Sequence, residues 1–188
     1  KMMWPMITSV SELKQCLTHL ETACRQLIER EETFSEVSTG CMIEIPSAAL
    51  TVSSLLKLVD FISIGTNDLI QYTLSVDRGD DAVSYLYQPA HPAVLRLLAH
   101  IIRTANRMNK TVSLCGEMAG DTTFTRLLLG MGLRSFSMNT HNLLAVKDIV
   151  IHSHIDHLEQ EILRILRNED PDKADKLLKQ LNQAEKAV

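Results

Sequence analysis

The chain has 188 residues, 45% of them hydrophobic, which is enough for one domain, or a domain with a small appendage, around a sizeable core. Its 19 Lys and Arg against 23 Asp and Glu give a formal net charge of -4, so no global cationic field exists to recruit nucleic acid or an anionic membrane. At 4% aromatic it is poor in base-stacking side chains, and no apolar run approaches the roughly 20 residues of a membrane span.

Met2 to Ile7 reads as a short strand, and Ser9 with Glu12 three residues on marks the start of a helix. From Val10 to Glu32 the apolar positions Val10, Leu13, Leu17, Leu20, Cys24, Leu27 and Ile28 recur at threes and fours, which predicts one buried face. Gly40 opens a second strand, Cys41 to Pro46, and Ser47 to Val59 reads as a short helix. Asp60 to Gly65 is a third strand, with Thr66, Asn67 and Asp68 as a polar turn behind it. Ser75 to His91 lacks periodicity and reads as a long functional loop. Pro92 to Met108 is an amphipathic helix, and Thr111 to Cys115 a fourth strand. Asp121 caps a helix that Gly132 closes, Ser135 to Met138 is a fifth, shorter strand, and a charged helical segment ends the chain, broken near Asn168 to Pro171.

Nearly wholly apolar strands alternating with helices predict an α/β fold with a parallel sheet covered by helices. The polar residues fall just after strand ends, the rim where parallel α/β folds place their chemistry. A complete barrel needs eight strands and about 250 residues, so five strands are expected to be the later part of one. The chain begins at Lys1 inside an apolar run and lacks the order of a signal peptide, so it reads as part of something longer. Cys16, Cys24, Cys41 and Cys115 have no CxxC spacing and are too sparse for a disulfide framework, which points to a reducing cytoplasm.

Glu44 and Asp68, at neighbouring strand ends, are candidate hard oxygen ligands for Mg²⁺. The plainer alternative is that Glu44 pairs with a Lys or Arg while Asp68 caps a helix. Glu44 lies inside an apolar run, where an unpaired charge is costly and a cation would offset it. Asn67 and the backbone around it offer donors to a phosphate or carboxylate, and Arg78 brings a planar fork suited to phosphate. Each is also common as an ordinary turn or surface residue. Cys115 ends its strand on the same rim. A structural thiol is the default there, yet with Glu117 nearby and no identifiable His base, a proton donor suits the position better than a nucleophile. His152, His154 and His157 lack the further ligands that would complete a zinc site.

These residues lie within longer runs: WPMI (Trp4 to Ile7), GCMIEIPSAAL (Gly40 to Leu50), DFISIGTNDLIQYTLSVDR (Asp60 to Arg78), LYQPAHPAVLRL (Leu86 to Leu97), CGEMAGD (Cys115 to Asp121) and LLLGMGLRSFSM (Leu127 to Met138). Together they cover most of residues 1 to 140. The sequence resembles the C-terminal, phosphoenolpyruvate (PEP)-binding part of the phosphoenolpyruvate–protein phosphotransferases, the enzyme I family of bacterial phosphotransferase systems. The resemblance implies the later strands of a (β/α)₈ barrel. It implies Mg²⁺ on Glu44 and Asp68, substrate held by Asn67, Asp68 and Arg78, and Cys115 as proton donor. It also implies a homodimer, and phosphoryl transfer to a histidine on a separate domain and then to a phosphocarrier protein.

The phosphohistidine motif and the upstream arginines of that family are absent, so the segment alone is expected not to turn over and to bind PEP only weakly. Asn139 to Val188 departs furthest from the family pattern, and residues 152 to 188 read as a helical extension. Two alternatives stand beside this reading. One is the similar barrel of PEP synthase or pyruvate phosphate dikinase, whose matching segments differ from LYQPAHPAV and CGEMAGD. The other is a non-catalytic dimerisation or regulatory module.

Overall fold

The computed structural model describes residues 1 to 184. Four strands, β1 (Met2–Trp4), β2 (Thr39–Ile43), β3 (Phe61–Gly65) and β4 (Thr111–Cys115), form one sheet in the order β1-β2-β3-β4, with every neighbouring pair parallel. Helices cross between them: α1 (Val10–Glu29), α2 (Pro46–Leu50), α3 (Val52–Leu55), α4 (Thr66–Leu74) and α5 (Pro92–Arg107). After β4 come α6 (Glu117–Gly120), α7 (Thr122–Met131), α8 (Thr140–Ile151), α9 (Ile155–Arg167) and α10 (Pro171–Ala184).

The two sheet faces differ in chemistry. Cys41, Ile43, Ile62, Ile64, Val112 and Leu114 alternate onto one face, where α2, α3 and α5 seal them from solvent. Burial there pushes the Cys41 thiol up to about 12, which fixes it as a neutral core group. In the register, Met42 pairs with Ser63, Ser63 with Ser113, and Gly65 with Cys115, so these residues line the opposite, more polar face.

Local signals in the sequence account for most of the helix ends. Ser9 caps α1 by accepting from Glu12 N–H, while the Glu12 carboxylate reaches back to Thr8 N–H and Oγ1. Asp121 caps α7 through Thr123 N–H, and Gly132 stops that helix in the left-handed region at φ 101°. Helix α1 ends at Glu29, short of Glu32, because Glu31 takes a left-handed φ of 59°. The single helix expected over Ser47 to Val59 is two short ones, interrupted at Thr51.

Two expectations need correction. Thr66, Asn67 and Asp68 are not a turn but the first turn of α4, which starts directly from the end of β3. Ser135 to Met138 is not a strand. It makes one parallel bridge, Phe136 to Leu114, through Leu114 N–H to Ser135 O and Ser137 N–H to Leu114 O, and among the described residues has no partner on its other side to extend the ladder.

The C-terminal helices pack onto α7, with Leu158, Ile162, Ile165, Leu178 and Leu181 buried against the main core. The last four residues of the expected helical extension lie outside the described residues. Among the described residues no helix is long and apolar enough to cross a membrane, and the four cysteines are free thiols.

Candidate active site at the strand ends

Glu44 follows β2 directly and is only 3% exposed. Its Oε1 accepts from Met6 N–H at 2.7 Å, and Met6 adopts φ 55°, a costly conformation that aims its N–H at the carboxylate. Burial pushes the Glu44 carboxyl above its ordinary range, and the Asp68 carboxylate beside it pushes further, against the Met6 donor. No Lys or Arg pairs with Glu44 among the described residues, and Asp68 does not cap α4, whose N-cap is Gly65. The plain ion-pair-and-cap alternative is therefore not what the structure holds.

Gly65 explains how the two carboxylates come together. A Cβ there would lie 2.7 Å from Glu44 Oε2 and 2.9 Å from Met42 Sδ, so the missing side chain is the space that Glu44 uses. On its other side Gly65 pairs with Cys115. The Cys115 thiol donates to Ile64 O at 3.4 Å and accepts from Ser63 Oγ at 3.5 Å. Glu44, Asp68 and Cys115 thus flank one strand end.

The start of α4 is pinned to the end of β4. Thr66 Oγ1 donates to Cys115 O at 2.8 Å, and Asn67 Oδ1 accepts from Glu117 N–H at 3.0 Å. That bond fixes the Asn67 amide with its nitrogen unpartnered among the described residues. Gly116, at φ 94°, makes the approach possible, since a Cβ would stand 2.4 Å from Thr66 Oγ1 and 2.8 Å from Asn67 Oδ1. Arg78 Nη1 donates to Glu117 Oε1 at 2.9 Å, which brings the long loop onto the same rim. The pair is largely exposed, so it holds Arg78 at the rim without locking it there.

A cavity of about 400 Å³ opens here between Asn67, Cys115, Ser137, Asn139 and Asn142. The sequence reading missed Tyr87, Ser137, Asn139 and Asn142. Asn139 was findable, because it follows the Ser135 to Met138 segment as Asn67 follows β3. Tyr87 was not: its hydroxyl donates to Asn67 O at 3.4 Å from twenty residues away. Burial, then the Glu117 charge, pushes that phenol up.

The donor set fits a divalent ion of the magnesium kind. Two carboxylates, one of them buried without a cation, face each other, and a hard cation would relieve both the burial and the repulsion. His152 pairs with Asp148 at 3.3 Å. Lys1 lies over the Phe61 ring at the far end of β3.

A family model described as PEP-utilising enzyme, PEP-binding domain, matches residues 1–155. A phosphoenolpyruvate-protein phosphotransferase of Cupriavidus necator is 50% identical over 182 residues, covering 96% of this chain and 31% of that protein. Proteins of the same name from Haemophilus influenzae and Bacillus subtilis are 46% and 45% identical, over 79% and 78% of this chain and 26% of each relative. The chain thus spans about a third or less of the length of these relatives. A citrate lyase from Burkholderia xenovorans has a similar fold, with a TM-score of 0.57 at 17% identity, over 98% of this chain and 63% of that one.

Proposed function

The chain belongs to the PEP-utilising enzymes, through their PEP-binding domain, and from that premise we propose that it binds PEP at the rim of β2, β3 and β4 as part of a phosphoenolpyruvate–protein phosphotransferase. The observation that carries the reading is the meeting of Glu44, Asp68 and Cys115 around Gly65. The names of the relatives favour this over a PEP synthase or a dikinase.

In this reading Glu44 and Asp68 would hold Mg²⁺, which would supply Lewis-acid stabilisation of negative charge on the substrate oxygens. The unpartnered Asn67 amide and the first N–H groups of α4 donate to the substrate phosphate. Arg78 reaches the same phosphate from the loop, exchanging or sharing its bond to Glu117. As the P–O bond breaks, the Cys115 thiol gives its proton to the enolate carbon and pyruvate forms. The phosphoryl group passes to a histidine outside this chain and then to a phosphocarrier protein.

The finer fold belongs to the same proposal. The strand order advances without reversal, and right-handed crossovers in that order keep the helices on one side, as in a (β/α)₈ barrel. The polar face bearing Ser63, Ser113 and Cys115 would line its interior. Exposed Leu50, Tyr85, Leu86 and Leu144 are apolar surface that a homodimer would cover, and free thiols suit a cytoplasmic protein.

Calorimetry of the chain with PEP tests the reading. Binding should be weak, in the roughly millimolar range, and should require Mg²⁺. Glu44→Gln and Asp68→Asn should each abolish the metal requirement together with the heat. Binding that is indifferent to Mg²⁺ in the unaltered chain would overturn the assignment.

A further inference from the structure

A groove of about 770 Å³ lies away from the strand-end rim, between α5, α7 and α9. One wall is a basic stripe on α5. Arg96, His100, Arg103 and Arg107 follow one another at spacings of four, three and four, which places them on a single helix face. Arg134 faces them from the end of α7, anchored by its bonds to Leu129 O and Leu133 O. Arg96 closes one end, donating to Leu166 O and Asn168 O. Glu159 is the carboxylate among the groove's lining residues, and Glu169 pairs with Arg96 at 3.9 Å at its end.

This concentration of positive charge stands in a chain of net charge -4. His100 and Arg103 make no hydrogen bond or ion pair among the described residues, so their donors are available at no cost in existing bonds. Like charges on one helix face repel each other, and an anion in the groove would reverse that repulsion. The eleven residue steps from Arg96 to Arg107 rise about 16 Å, but the unbonded His100 and Arg103 lie only three steps, about 4.5 Å, apart, the scale of two adjacent phosphates. Leu129 and Leu163 give the groove an apolar floor, and its volume lies in the range of small-molecule sites.

We infer that the α5–α7–α9 groove is a second ligand site, which takes a small molecule bearing a pyrophosphate group, of the nucleoside diphosphate kind. Fork-shaped guanidinium groups suit adjacent phosphates, and the floor suits the organic part.

Calorimetry of the full chain at low salt, with ADP, pyrophosphate and adenosine as probes, tests the inference. ADP and pyrophosphate should bind and adenosine should not; ADP binding more tightly than pyrophosphate identifies the organic part as a contributor. The double variant His100→Ala with Arg103→Ala removes two exposed, partnerless side chains, and circular dichroism should show its fold unchanged. It should weaken ADP binding by roughly tenfold or more. Arg78→Ala, at the strand-end rim, should leave that affinity as it is. The inference is overturned if neither anion binds at about 1 mM, if the double variant binds as the unaltered chain does, or if Arg78→Ala removes the binding.

Discussion

Glu44 and Asp68 hold their carboxyl groups side by side across the ends of neighbouring strands, with Glu44 out of solvent. Because burial and then the Asp68 charge raise the folded-state pKa of Glu44, the folded form binds its proton more tightly than the unfolded chain does. The associated stability is complete below the ordinary value of 4.5 and is lost as pH rises through the folded value. In chelator, the urea midpoint should therefore fall over that window, and fall less in Asp68→Asn. Added Mg²⁺ should offset the loss at the upper end. An identical pH slope in Asp68→Asn and the unaltered chain would show that the two carboxyls do not interact.

Gly116 is required on two counts, a left-handed φ of 94° and the absence of a Cβ that would stand 2.4 Å from Thr66 Oγ1. Gly116→Ala should cost about 1–3 kcal/mol of stability in denaturant melts. The clash also falls on Asn67 Oδ1, so PEP binding should drop further than the stability loss explains when both are measured at a temperature where the variant stays folded. If binding is kept while stability falls, Asn67 is not positioned from β4.

What the sequence made legible divides along sequence distance. Helices α5 and α7 could be read because their buried faces recur at helical spacing, and α1 because its apolar positions do, although of the face expected to be buried only Leu13 is, with Ile28 exposed; a cap lies within three residues of the start of each. Glu44 stood out because it interrupts an apolar run. The bonds that assemble the rim join residues far apart, such as Arg78 to Glu117 at a separation of 39 and Asn67 to Glu117 at 50, and no local pattern encodes them. The fifth strand failed for a related reason. Phe136 has the right residue type for a strand, but strand length depends on neighbours, and Leu114 alone pairs with it.

At Gly130 α9 packs tightly onto α7: an added Cβ would meet Ile162 Cγ1 at 2.5 Å and Leu158 Cβ at 3.0 Å. Gly130→Ala should overpack this contact and cost about 1–3 kcal/mol. Ile162→Ala alone should cost about 2–5 kcal/mol through the cavity it leaves. Combined, the two should cost less than their sum, because each relieves the other's defect. Strict additivity in urea melts would mean that α9 does not seat on Gly130.

Cys115 can be tested in this chain without a phosphoacceptor, because the group that protonates the enolate carbon in one direction removes a proton from pyruvate in the other. With Mg²⁺, pyruvate and D₂O, the chain should exchange the methyl protons of pyruvate for deuterium, read by proton NMR. The thiol rests against Ile64 O at 3.4 Å, so it must turn from that carbonyl toward the substrate to act. Cys115→Ser keeps a donor for Ile64 O and should preserve the fold and PEP binding. It should nevertheless slow exchange by about 10²-fold or more, since an alcohol is a far weaker base catalyst than a thiolate. Cys115→Ala should abolish exchange. Unchanged exchange in Cys115→Ala, or a loss of PEP binding in Cys115→Ser equal to the loss of exchange, would move the proton transfer to another group on the rim.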